Sequence, residues 1–169
     1  GSESLNGSSK CSKCIAGRFG NTVGASCMDC DVGEYRDSEM IATACLKCPI
    51  GFYQDVSNQD QCIGCKPGTY QPKQKQALCI ECVPGKHQSI VKMSTCDDCA
   101  PNTFANVSGL SKCYDCSFDS PLSTTGSAVC SSCPVGTQSQ GKGTCIECAS
   151  GLFRNWFAGQ HPRRPVRPV

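Results

Sequence analysis

Apolar residues along the chain fall in short clusters among Ser, Thr, Gln, Asn and Lys, with no helical period. Such a pattern predicts short irregular β-strands and turns with little helix, because a helix needs an apolar stripe at 3.6-residue spacing to bury. No apolar run reaches the roughly 18 residues of a membrane span, so no span is expected in this segment. One position does recur. Phe19, Tyr35, Tyr53, Tyr70, His87, Phe104, Pro121, Gln138 and Phe153 follow one another at nearly even intervals, and six of these nine are aromatic.

Two residues before each of them stand Gly17, Gly33, Gly51, Gly68, Gly85, Asn102, Asp119, Gly136 and Gly151. Only Gly, Asn and Asp occur there, the types that best tolerate a positive φ, so the column predicts one backbone turn repeated nine times. Pro67, Pro84 and Pro101 precede it, as suits a tight turn with Pro at i+1 and Gly or Asn at i+2. A ring just past that turn predicts repeat-to-repeat packing, with the ring against a neighbouring disulfide. His87 fills the same slot and reads as a ring of that column rather than a catalytic base or a metal ligand.

Every cysteine belongs to a C-x-x-C pair: Cys11/Cys14, Cys27/Cys30, Cys45/Cys48, Cys62/Cys65, Cys79/Cys82, Cys96/Cys99, Cys113/Cys116, Cys130/Cys133 and Cys145/Cys148. Successive pairs start 16, 18, 17, 17, 17, 17, 17 and 15 residues apart, the mark of tandem duplication. Bonding the second cysteine of one motif to the first of the next gives a ladder: Cys14 to Cys27, Cys30 to Cys45, Cys48 to Cys62, Cys65 to Cys79, Cys82 to Cys96, Cys99 to Cys113, Cys116 to Cys130 and Cys133 to Cys145. Each rung closes a loop of roughly 15 residues, which chain entropy values at about 3 kcal/mol, against about 2 kcal/mol for a motif closed on itself. A third scheme joins two motifs first to first and second to second, and nine motifs cannot all be used that way. The ladder leaves Cys11 and Cys148 as candidate inter-subunit cysteines, bonding neighbouring copies head to tail or repeats absent from this chain.

Composition agrees with a covalent framework. Leu, Ile, Val and Phe make up about 17% of the 169 residues, below the roughly 20% at which an ordinary apolar core becomes difficult, whereas cysteine reaches about 11%. Thiols at that density persist as disulfides only in an oxidising compartment, so the chain is expected to be extracellular, secreted or at the cell surface. The formal net charge of +2 calls for neither nucleic acid nor an anionic membrane. Residues 1–10, polar and of low complexity, read as a flexible segment or linker, residues 11–153 as nine C-x-x-C repeats, and residues 154–169 as a Pro/Arg-rich tail.

The motif C-x-x-C-x-P-G-x-[FY], as in Cys62-Ile-Gly-Cys65-Lys-Pro-Gly-Thr-Tyr70, resembles the ephrin-receptor-like cysteine-rich repeat of extracellular proteins. It is also similar to the first half-module of tumour-necrosis-factor-receptor repeats, in which a cysteine before Pro-x-Gly-x-Tyr bonds the first cysteine of the next group. That similarity also implies the ladder. Asn102 and Asp119 at the turn, and His87, Pro121 and Gln138 at the ring position, depart from the pattern. The resemblance implies a small disulfide-rich fold, an elongated tandem-repeat rod or solenoid of about 17-residue units, and names no ligand.

Catalysis finds no support. Zinc tetrathiolates are the main rival use of paired C-x-x-C motifs, but groups of four would strand one of nine pairs. Thiol redox catalysis needs one or two reactive cysteines, and nine equivalent motifs are redundant for it. With His87 and His161 the only histidines, no Ser-His-acid arrangement or phosphate loop is visible, and no cofactor is expected. Asp29, Asp31 and Glu34, like Asp97 and Asp98, match no calcium loop and read as solvated acids. Asn6-Gly-Ser8 and Asn106-Val-Ser108 are candidate glycosylation sequons. The tail, with Trp156 and Arg154, Arg163, Arg164 and Arg167, breaks the repeat; alternating Pro favours polyproline II, and Trp156 is a candidate contact with a neighbouring subunit or with acidic glycans. The expected function is an extracellular structural array that self-associates into a polymer or larger surface assembly. The alternative is the ligand-binding or adhesion ectodomain of a receptor, whose binding stretch would be the irregular one from Cys113 to Cys133.

Overall fold

The computed structural model describes residues 2–3, 12–22, 24 and 26–152. Eight disulfides run through them as a ladder: Cys14–Cys27, Cys30–Cys45, Cys48–Cys62, Cys65–Cys79, Cys82–Cys96, Cys99–Cys113, Cys116–Cys130 and Cys133–Cys145. We number the loops they close as modules 1 to 8. Cα–Cα separations of 5.7 to 5.8 Å show the same geometry at every rung.

Every module except module 7 begins with a tight turn. In module 1 the Arg18 amide donates to Ile15 O, and in module 4 the Thr69 amide donates to Lys66 O at 3.0 Å, with Gly17 (φ 77°) and Gly68 (φ 84°) at the third turn position. An i to i+3 bond with positive φ at i+2 is a type II turn, which the Gly column encodes. The turn feeds a two-residue strand that pairs antiparallel with the residues inside the next C-x-x-C. The pairs are Arg18–Phe19 with Met28–Asp29, Glu34–Tyr35 with Leu46–Lys47, Phe52–Tyr53 with Ile63–Gly64, Thr69–Tyr70 with Ile80–Glu81, Lys86–His87 with Asp97–Asp98, and Thr103–Phe104 with Tyr114–Asp115. Ser2–Glu3 also pairs with Ser12–Lys13, which puts a strand in the stretch that composition read as a linker. No helix occurs among the described residues.

The two least regular modules have specific causes. In module 7 Leu122, not Pro121, faces Ser131, the residue after Cys130, so one extra residue sits between Cys116 and the ring position. Asp119 lacks the positive φ of the other turn residues, as does Ser120, so the turn is absent here, and the ring column expected at Pro121 is displaced by one to Leu122. Module 8 has lost residues from its loop and closes as one longer hairpin, Thr137–Gly141 on Thr144–Glu147, with a bulge between Ser139 and Gly141.

The interior is a column of sulfur and polar side chains. Cys30, Cys48, Cys65, Cys82 and Cys99 have no exposure, and beside them lie Arg36, Gln54, Gln71 and Gln88, all buried. Aliphatic residues such as Ile41 and Val135 point outward instead. Glutamine is inside because an irregular loop leaves amides and carbonyls that need partners. Gln71 Nε2 donates to Leu78 O at 2.6 Å, and its Oε1 accepts from the Lys73 amide at 3.1 Å, bracing the loop from within. Gln54 and Gln88 repeat both bonds in modules 3 and 5. Arg36 takes the same place in module 2 but reaches backward, donating to the carbonyls of Cys14, Ile15 and Arg18 in module 1.

Candidate functional site

The feature most repeated across the array is the joint between modules. The turn amide of each of modules 1 to 6 donates to the carbonyl of the brace position in the next: Gly51 to Gln71 at 2.8 Å, Gly68 to Gln88 at 2.7 Å, Gly85 to Ala105 at 2.8 Å. In return, an amide late in the next loop donates back to the opening cysteine, as Lys75 to Cys48 and Lys92 to Cys65. Contact extends one module further. Cβ atoms placed on Gly68 and Gly85 would lie 2.0 Å from the carbonyl oxygens of Gly109 and Gly126, two modules along. Those partners form a second positive-φ column, Asn58, Lys75, Lys92, Gly109 and Gly126, spaced 17 residues apart.

Sequence reasoning missed this second column and the glutamine brace, since neither carries a cysteine or an invariant residue type. The 17-residue recurrence of Gln54, Gln71 and Gln88 was the available signal. The second column also explains one departure from the repeat pattern. Asn102 (φ 66°) stands at the turn where other modules have Gly, and its side chain occupies the space left by Gly143, two modules on.

Side chains reinforce the same joint. Lys75 Nζ of module 4 lies 2.8 Å from Glu34 Oε1 of module 2, and Lys92 Nζ sits 5.3 Å from the centroid of the Phe52 ring, again two modules back. The hydrogen bond to Glu34, then its charge, raises the Lys75 pKa above the ordinary 10.5, against an opposing desolvation. Arg18 with Asp29 at 2.9 Å and Lys86 with Asp98 join the two strands of single hairpins. The acids Asp29 and Glu34 therefore belong to separate ion pairs.

The outer face carries a regular row of cross-strand pairs. Phe19 faces Met28, Tyr35 faces Leu46, Tyr53 faces Ile63, Tyr70 faces Ile80, and Phe104 faces Tyr114 with ring centroids 6.1 Å apart. The rings are half-buried, and Met28, Leu46, Ile63, Ile80 and Tyr114 are each 43–48% exposed. In module 5 the pair is His87 and Asp97. His87 Nδ1 lies 3.2 Å from Cys113 Sγ, so its ring rests on the disulfide of the following module. His87, Cys99 and Cys113 together have metal-binding spacing, but both sulfurs are consumed in the Cys99–Cys113 bond.

Cys148 is a free, half-buried thiol whose amide donates to Gly136 O, as the second cysteine of every regular motif donates to the preceding turn. Asn106 is exposed in the loop of module 6. Asn6, Cys11, Phe153 and Trp156, and with them the tail, lie outside the described residues.

Residues 51–92, from the turn of module 3 through most of module 5, match the family described as tyrosine-protein kinase ephrin type A/B receptor-like. No curated protein matches the chain. The matched stretch is ephrin-receptor-like, and its turn, hairpin and rung recur on both sides of it. Repeats of this type are extracellular, non-catalytic ectodomain modules, and the disulfide density suits the same setting.

Proposed function

We propose that the chain is an extracellular structural array, a stiff rod of stacked modules that continues head to tail into a polymer or larger surface assembly. The observation that carries this reading is the double joint, in which each regular module is held both by the next module and by the one after it. A string of modules touching only nearest neighbours would bend at each link; contact at two successive distances resists bending. Among the described residues, Gly136 is exposed with nothing within 4 Å of an added Cβ, whereas Gly51, Gly68 and Gly85 are buried beneath the loop two modules on. Cys148 stands where a ninth rung would start. On this reading it bonds the first cysteine of a following motif, which is Cys11 when a second copy supplies it.

Negative-stain electron microscopy of the secreted protein, with and without Cys148→Ser, tests the reading. Rods of constant width that lengthen end to end, and shorten to single units in the variant, support it. Uniform single particles in both samples would end it.

A receptor or adhesion ectodomain is the second reading. The exposed row from Met28 to Ile80 supports it, because solvent-facing apolar patches commonly mark binding surfaces. So does the displaced module 7, where Phe118 is 63% exposed.

A further inference from the structure

We infer that Asn106 is an N-glycosylation site, modified in an exposed loop that lacks the glutamine brace of the three modules before it. In modules 3, 4 and 5 the brace glutamine ties down the residues that follow it, its Oε1 accepting from the amides of Val56, Lys73 and Ile90. Module 6 has Ala105 at this position, fully buried and without a polar side-chain atom to supply either bond. The sequon Asn106-Val107-Ser108 begins at the next residue, and all three of its residues are exposed.

The remainder of the loop is anchored on the opposite side. Gly109 donates its amide to Cys82 O at 2.8 Å and packs against Gly68 two modules back, so the inter-module contact begins immediately after the sequon and uses none of it. A glycan on Asn106 Nδ2 therefore projects into solvent without opening a joint. Neither the Asn106 amide nor the Ser108 hydroxyl is tied to a neighbour, in contrast to Asp37 at the matching place in module 2, whose Oδ1 caps Glu39 and Met40.

The chemistry is transfer of an oligosaccharide from a lipid-pyrophosphate donor in the secretory pathway. The anomeric carbon forms its bond to Asn106 Nδ2 as its bond to the pyrophosphate oxygen breaks. The lipid pyrophosphate leaves with the electron pair, and the amide gives up one proton. The hydroxyl of Ser108 marks the acceptor. The inference rests on the extracellular reading for the route of export and on the exposed loop for the site.

The test uses the full chain secreted from a eukaryotic host, digested with a peptide amidase that converts glycosylated Asn to Asp in heavy-oxygen water. Peptide-resolved mass spectrometry keeps Asn106 separate from Asn6. The expected result is heavy Asp at 106 in most molecules, at least a tenfold loss of glycan from that peptide in Ser108→Ala, and retention in Ser108→Thr. Unmodified Asn106 in secreted protein whose rungs are intact overturns the inference while leaving the extracellular array standing. Failure of the rungs to form would instead strike the fold reading.

Discussion

The carbonyl oxygen of Lys92 lies 2.1 Å from the place where a Cβ on Gly51 would stand. Gly51 is thus held twice, by its φ of 79° and by a backbone atom two modules away. Gly136 shares the φ, at 84°, and has no such contact among the described residues. Gly136→Ala should cost about 1 to 2 kcal/mol, the ordinary penalty of a left-handed residue with a side chain. Gly51→Ala should cost at least twice as much, because Lys92 must also move. Denaturant midpoints under non-reducing conditions read the difference, and equal losses at the two sites would show that the two-module contact is absent.

Gln71 and Gln88 carry a second prediction. Replacing either with Leu keeps most of the volume but leaves a loop amide and a loop carbonyl without their partners, at about 1 to 3 kcal/mol. Amide hydrogen exchange should rise locally at Lys73 or Ile90, whose N–H groups lose their acceptor. A variant that is stable and unchanged in exchange would show that the loops hold themselves.

Much of this was legible in the sequence, and the limits follow from what spacing can encode. The turn column was readable because positive φ restricts residue choice, and eight of the nine positions have it, Asn102 included. The rungs followed the even gaps between motifs. Asp119 and Pro121 were misplaced because Cys116–Cys130 keeps the 14-residue separation of its neighbours while gaining a residue before the strand and losing one after it. Counting from cysteines cannot detect that compensation. The buried Gln column was invisible because a glutamine in a polar loop reads as solvent-facing until the orphan backbone groups around it are known.

Lys75 and Glu34 predict a pH dependence. Because the folded pKa of Lys75 lies above its ordinary 10.5, the pair contributes stability that is fully present below the ordinary value and lost as pH rises through the raised one. The difference in melting temperature between the natural chain and Lys75→Gln should stay constant from neutral pH to about 10 and close above it. With Lys75 exposed, the difference should be small and should shrink with salt. A difference that grows at alkaline pH would contradict the pair.

His87 predicts a negative metal response. With Cys99 and Cys113 bonded to each other, zinc titration should raise the melting temperature of the natural chain no more than that of His87→Phe. Phe at this position restores the ring of the column and should leave all eight rungs intact. A zinc-dependent stabilisation lost in the variant would mean that the cysteines of module 6 are a metal site.

The central claim is a ladder of cross-motif rungs that continues at Cys148, and disulfide-linked peptide mapping of the unreduced secreted protein tests it most directly. The account predicts the eight rungs from Cys14–Cys27 to Cys133–Cys145, with Cys148 linked to Cys11 of another copy. Peptides in which a C-x-x-C closes on itself, or Cys148 recovered as a free thiol from the assembled protein, would contradict it.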